Sequence, residues 1–395
     1  MPRFTGVDFY DLDSLLAEDE RQIRDHVRDW VEDRYLPLVE RAYEEAYFPA
    51  DVIPELGGMG LLGATLPEKY GCAGIGATAY GLVMQELERG DSGLRSFASV
   101  QGSLVMYPIF AYGSEEQRVK WLPRLAKGEA IGCFGLTEPD FGSNPGGMIT
   151  RAVRKDGGYI LNGAKMWITN GTVADVAVVW AKLKSEPSGR DEINGFLVEK
   201  GTRGFSAPEQ KRKHSLRASV TSELILQDVF VPEANRLPEG TGLKAPLGCL
   251  SQARFGIAFG VVGAAMACFH AAAEYAKTRI MFDRPIGGFQ LVQERLAVML
   301  TEITKAQLLC VQLGRLKERG TVKAEQISLA KRNNCEIALA VAREARDILG
   351  ANGITAEYPV MRHMCNLESV KTYEGTHNIH TLVLGEAITG IAAYR

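Results

Sequence analysis

Four groups of residues in this chain have types and spacings that suit chemistry. The segment Phe134-Gly135-Leu136-Thr137-Glu138-Pro139-Asp140-Phe141-Gly142-Ser143-Asn144-Pro145 reads as a strand entering a turn lined with hydroxyls and glycines. Backbone N–H groups there can approach a flat polar ligand, although a well-built hairpin corner would use the same residues. In Lys165-Met166-Trp167-Ile168-Thr169-Asn170-Gly171 the strand period of two puts Trp167 and Thr169 on one face. An edge strand with no ligand would fit equally well. Asp347-Ile348-Leu349-Gly350-Ala351-Asn352-Gly353-Ile354 ends a helix in a glycine-rich loop, and Tyr373-Glu374-Gly375-Thr376 offers a lone carboxylate at the start of the next. Taken alone, a Glu at a helix start commonly favours the macrodipole and does no chemistry. Finally, Ser99 follows Arg95 by four positions among small neighbours, Gly93, Ser96, Ala98 and Gly102. A guanidinium fork with a hydroxyl on the same helical face can hold a carboxylate. The plainer alternative pairs Arg95 with Glu88 or Asp91.

Other patterns fail for physical reasons. Gly74-Ile75-Gly76-Ala77-Thr78-Ala79 spells a dinucleotide fingerprint. That mechanism needs a preceding strand and a βαβ unit, whereas a proline-bearing loop comes first here. His377 and His380 could share a helix face as metal ligands, but no partner set of carboxylates or thiolates lies nearby in sequence. Neither a Walker loop nor a G-x-S-x-G elbow is present.

The elements that must position these residues fall into three blocks, in keeping with a length of 395 residues and domains of ~100–200. Residues 1–131 read as an N-terminal helical domain, with Leu16, Ile23, Val27, Trp30, Val31 and Leu36 at helical spacing. Ser114 and Gln117 form a capping box opening one of its helices. Residues 132–240 read as an antiparallel β-sheet or barrel domain, with strands near 149–153, 159–161, 174–180, 195–198 and 222–229. Breakers at Asp156-Gly157-Gly158, Asn162-Gly163 and Asn170-Gly171 separate them. Residues 241–395 read as a C-terminal helical bundle, with helices over 291–317, 322–349 and 374–392. The fold class is mainly α with a central β domain.

One stretch, 255–273, is long and apolar enough to span a membrane. It is the single such segment expected from the sequence and is built from Gly and Ala. Gly256, Gly260 and Gly263 suit close helix packing, so a buried bundle helix is the reading. Composition narrows the function classes further. Forty-five basic against forty-eight acidic side chains leave a net charge of −3, without the footprint of a nucleic-acid binder. Seven scattered cysteines with no C-x-x-C pair argue against a disulfide scaffold or zinc knuckle. The acidic first thirty residues resemble neither a signal nor a transit peptide. A cytoplasmic bacterial protein, or a trimmed mitochondrial matrix form, is expected.

Taken together, the first and third segments resemble the two signatures of the acyl-CoA dehydrogenase family, and the resemblance covers essentially the whole chain. Within that family the chain is most like the glutaryl-CoA dehydrogenases. The likeness rests on Asp91-Ser92-Gly93-Leu94-Arg95-Ser96, Ser99-Val100-Gln101, Ser215-Leu216-Arg217-Ala218-Ser219, Lys331-Arg332-Asn333-Asn334-Cys335 and Tyr373-Glu374-Gly375-Thr376-His377. The resemblance implies FAD as cofactor, a fatty-acyl-type thioester of CoA as substrate and Glu374 as the base that removes the α-proton. It implies that Phe134, Leu136, Thr137, Trp167 and Thr169 contact the isoalloxazine, with Gly350 and Thr376 elsewhere around the cofactor. Arg279, Phe282 and Gln290 would come to the FAD from a neighbouring subunit, in a homotetramer. Ser143 and Arg254 would serve the CoA. Arg95 and Ser99, with Glu88 and Tyr373 as polar neighbours, would hold the distal carboxylate of glutaryl-CoA. The implied reaction passes through glutaconyl-CoA to crotonyl-CoA and CO2, within lysine and tryptophan degradation. Electrons would leave to electron-transfer flavoprotein, with no nucleic acid, metal or membrane insertion involved.

The pattern departs from the family at Phe141, Asn144, Ser251, Asp283 and Ala351. Other activities remain open on the same fold: a glutaryl-CoA dehydrogenase that stops before decarboxylation, a short-chain acyl-CoA dehydrogenase or an acyl-CoA oxidase. A helical scaffold without flavin is the reading from a different class.

Overall fold

The computed structural model describes residues 2–185 and 189–393. Seven helices precede the sheet: α1 (Glu18–Trp30), α2 (Leu36–Glu45), α3 (Ile53–Gly58), α4 (Ala77–Gly90), α5 (Ser92–Ser99), α6 (Tyr107–Tyr112) and α7 (Glu115–Ala126). The expected capping box is present at α7: Gln117 N donates to Ser114 Oγ at 3.3 Å, and Ser114 N donates to Gln117 Oε1 at 3.0 Å. Between α5 and α6 the helix continues through wide π turns over Val100–Met106. These turns recur at functional sites because they shift the faces that side chains present.

The strands are β1 (Gly132–Gly135), β2 (Arg151–Lys155), β3 (Gly158–Thr169), β4 (Val176–Lys184), β5 (Asp191–Glu199), β6 (Phe205–Ser206), β7 (Thr221–Pro232) and β8 (Arg236–Thr241). They form one sheet in the order β6-β7-β3-β2-β4-β5-β8, with β1 added on β4. The pairing is antiparallel except at β1–β4 and β2–β4, which are parallel. The expected break at Asn162-Gly163 is a correction: it lies inside β3 as an irregularity in the β3–β7 register. Gly163 there has φ +147°, and a Cβ on it would overlap Thr150. Asn162 holds Asp228 across the strands through two hydrogen bonds, at 2.8 and 3.0 Å. The glycine therefore marks a bulge and a close approach, which sequence alone does not distinguish from a turn.

Five helices and one short hairpin follow: α8 (Lys244–Thr278), β9 (Ile280–Met281), β10 (Arg284–Pro285), α9 (Gln290–Glu318), α10 (Ala324–Ile348), α11 (Val360–Thr372) and α12 (His377–Thr389). The apolar window of α8 is 83% buried, so it is the core helix the sequence suggested. It is not alone in length and hydropathy, since α9 passes the same test with only 28% of its window buried. Helix α8 lies so close to α4 that a Cβ on Gly263 would overlap Gln85 O, and one on Gly260 would overlap the Glu88 carboxylate. One cluster of buried apolar residues joins the helices of both ends of the chain, a second joins the helices to the sheet, and a third lines the sheet's interior. The rejected Gly74–Ala79 motif proves to be a loop and the start of α4. Glu318 Oε1 already accepts from Thr78 N there, at 2.9 Å.

Candidate active site

Helix α4 ends at Gly90, and Asp91, in extended conformation, caps α5 by accepting from Gly93 N at 2.7 Å. Its other carboxylate oxygen accepts from Arg362 Nη1 at 2.6 Å and Asn366 Nδ2 at 2.9 Å, tying α5 to α11. With Asp91 committed, Arg95 pairs with Glu88. Arg95 Nε donates to Glu88 Oε2 at 2.6 Å, and both side chains are completely enclosed. Arg95 Nη2 also donates to Tyr373 Oη, the ring lying 5.7 Å from the guanidinium. Such a buried pair adds little to stability, because desolvation offsets much of its attraction. What it supplies is orientation. Arg95 Nη1 is left buried without a partner, as is Ser99 Oγ one helical turn on. Each such group costs ~1–3 kcal/mol unless a ligand satisfies it.

Glu374 carries a further enclosed orphan, Oε2. It lies ahead of α12 rather than inside it, which corrects the helix expected from 374 onward. Glu374 and Gly375 have φ +53° and +93°, and Thr376 is the N-cap, accepting from Ile379 N at 3.2 Å. A left-handed glutamate costs ~1–3 kcal/mol and persists only where its surroundings over-determine it. Here every carbonyl of the loop is held by a cation. Lys331 Nζ donates to Tyr373 O at 2.6 Å and Gly375 O at 2.7 Å, and Arg254 Nε donates to Glu374 O at 2.7 Å. Burial raises the Glu374 pKa above its ordinary value, while Arg95, Lys331 and Arg254 restrain the rise. A buried carboxyl whose pKa is raised is the better proton acceptor when ionised.

On the sheet side, Lys165 and Glu138 form a second buried pair at 2.8 Å. Glu138 also accepts from Ile149 N at 2.6 Å and Thr150 N at 3.0 Å, and Lys165 donates to Leu136 O at 3.2 Å. Met166 N donates to Thr137 O at 2.9 Å. Residues 136–138 are thereby fixed to β3. Just beyond, the register shifts between Lys165 and Ile168, and Trp167 takes φ +62°. Its indole is 64% exposed, although a large apolar ring is normally buried. A displayed indole with the half-buried Thr137 and Thr169 suits a flat polar ring. The side chains of Phe134 and Leu136 are built into the core, so it is their backbone that is available to a ligand. Phe141 packs against the backbone of Gly147 and pairs with Glu138 in a small bridge, so its bulk fills the loop.

The remaining expected residues lie apart from this centre. Arg279, Phe282 and Gln290 are exposed around the β9–β10 hairpin, Phe282 at 86%. Gly350 is exposed at φ +59° with open space where a Cβ would stand, and Ser143 is on an exposed loop. Arg254, expected on CoA, also holds the backbone of Glu374 through its Nε. Sequence reasoning assigned no role to Lys331, Lys165 or Glu138. A signal existed for Lys331: it shares its face of α10 with buried Ile327, Asn334 and Ala338, and a charge in an apolar stripe needs buried partners.

Models of the N-terminal, middle and C-terminal domains of acyl-CoA dehydrogenases match residues 17–129, 133–229 and 240–389. The chain is 36% identical over 376 residues to an acyl-CoA dehydrogenase of Bacillus subtilis, covering 95% of this chain and 99% of the relative. Among solved structures it is similar to glutaryl-CoA dehydrogenase from Mycobacterium smegmatis, at 56% identity and a TM-score of 0.94 over 97% of both chains. A glutaryl-CoA dehydrogenase of the same organism in complex with FADH2 is 54% identical, with a TM-score of 0.96 over 98% of this chain and 99% of that one.

Proposed function

The chain belongs to the acyl-CoA dehydrogenase family, and on that premise we propose that it oxidises glutaryl-CoA with FAD and releases crotonyl-CoA and CO2. The observation that carries the substrate is the pair of buried, unpartnered donors, Arg95 Nη1 and Ser99 Oγ. They suit the carboxylate at the far end of a dicarboxylyl chain, which a simple fatty acyl group lacks. Glu88 and Tyr373 fix the guanidinium so that one edge faces the ligand. Glu374 is the base: it takes the α-proton, keeps it while the γ-carboxylate leaves as CO2, and returns it to the γ-carbon of the resulting dienolate.

FAD, when bound, accepts the β-hydride. Trp167, Thr137 and Thr169 would hold its ring, with Thr376 and the backbone of Phe134 and Leu136 close by. Ser143 would meet the CoA. Arg279, Phe282 and Gln290, exposed in one chain, would reach a neighbouring subunit's FAD in a homotetramer, with Gly350 elsewhere around the cofactor. Electrons would pass on to electron-transfer flavoprotein.

Turnover of glutaryl-CoA and butyryl-CoA by the holoenzyme with an artificial acceptor, with CO2 measured, tests this reading. Strong preference for glutaryl-CoA and one CO2 per oxidation are expected. Equal turnover of butyryl-CoA would sink the substrate, and accumulating glutaconyl-CoA would sink the decarboxylation.

A further inference from the structure

We propose that Lys331 is a positioning residue for the base: its ammonium holds the Glu374 loop in its left-handed turn. The inference rests on the reading of Glu374 as base. Three consecutive carbonyls, of Tyr373, Glu374 and Gly375, all accept from cations, and Lys331 supplies two of the three bonds, at 2.6 and 2.7 Å. By bonding on either side of Glu374, one ammonium fixes the ends of the turn. Arg254 then holds its middle from α8. Lys331 is 1% exposed and among the described residues no carboxylate hydrogen-bonds it, so its three donors are available to backbone.

The site around the carboxyl contains Arg95 from α5, Glu88 and Tyr80 from α4, Arg254 from α8, Lys331 from α10, Tyr373 from the loop and His380 from α12. Arg95 is shared with Glu88, and burial pushes His380 down to about 3, leaving it neutral. Lys331 is therefore a positive charge on Glu374 that no acid offsets by direct contact. Burial lowers its own pKa to about 8, so it remains charged at neutral pH, where the hold is needed.

The test uses the FAD-loaded enzyme with glutaryl-CoA and an artificial acceptor. Lys331→Met should keep FAD, lower kcat by roughly 100-fold through the misplaced base and leave KM within a few-fold. Its acid limb of kcat/KM should move up by roughly one pH unit, because an opposite charge has been removed from the base. Lys331→Arg keeps the charge but not the fit. Its acid limb should stay with wild type while kcat falls, which also answers the question should the methionine variant not fold. An unshifted acid limb in Lys331→Met, a shifted one in Lys331→Arg, or full kcat in either variant would overturn the proposal. Glu374→Gln measured alongside separates the two ideas. If it still oxidises substrate, the base assignment has failed. If it is inactive while Lys331→Met behaves as wild type, only the role of Lys331 has.

Discussion

Gly260→Ala adds one methyl group to α8, with a consequence at the substrate end of the site. The new Cβ would overlap Glu88 Oε2 and lie 3.2 Å from both Glu88 Cδ and Arg95 Nε. The carboxylate would have to retreat by roughly 1 Å to reach van der Waals contact. Glu88 cannot swing freely, because it is enclosed and bonded to Arg95. Arg95 moves with it, and Arg95 Nη1 leaves the position from which it meets the distal carboxylate. Local propensity favours alanine in a helix by ~1 kcal/mol, and overpacking costs ~1–3 kcal/mol. Net stability should therefore change by no more than about 2 kcal/mol, and the protein should fold. Selectivity should suffer far more. A misplacement of about 1 Å lowers kcat/KM for glutaryl-CoA by roughly 100-fold, or ~2.7 kcal/mol. Butyryl-CoA, with no carboxylate to place, should lose only a few-fold. Steady-state kinetics on both thioesters read the ratio directly. Gly263→Ala is the control: its Cβ meets backbone at Gln85, so it should harm stability and both substrates together. If Gly260→Ala lowers stability yet leaves the ratio of the two substrates within about twofold, the Glu88–Arg95 geometry does not select the substrate.

Glu374→Gln should retain FAD and lose roughly 100- to 10,000-fold in oxidation, and activity within a few-fold of wild type would remove it as base. Because burial raises the Glu374 pKa and the base acts deprotonated, wild-type kcat/KM should fall as pH drops through that raised value. A pH–rate profile whose acid limb lies at or below an ordinary glutamate's would contradict the burial argument. Lys165→Met leaves Glu138 buried and unpaired, a loss of ~3–5 kcal/mol that should be visible by denaturant titration and as FAD shed on gel filtration. Glu138's pKa is depressed, so in the wild type its stabilising contribution is present above the unfolded carboxylate's pKa. It disappears as pH falls through the folded value. Phe282→Ala should weaken FAD binding by roughly tenfold if the ring anchors a neighbouring subunit's cofactor, whereas unchanged FAD content on dilution would speak against a shared site.

Local pattern made a good part of this molecule legible. Helices and strands follow from periodicity and breakers, the α7 cap from Ser114 and Gln117, and the buried course of α8 from its Gly and Ala content. The signatures around Thr137 and Glu374 follow from glycines and hydroxyls at fixed spacing, since such segments answer mainly to backbone demands within a few residues. Other features were decided by neighbours far away in the chain. Arg95 could have paired with Glu88 or Asp91, and the choice fell to Arg362 and Asn366, which claim Asp91 from α11. Glu374 reads as the first residue of a helix until Arg254 holds its carbonyl and Lys331 those on either side, in a left-handed turn. Asn162-Gly163 and Trp167 read as a turn and a plain strand position until β7 sets the bulges. A cation's partner, a carboxyl's burial and a strand's register are properties of distance in space. Arg95 and Tyr373 meet across 278 positions of sequence, and only the folded chain brings them together.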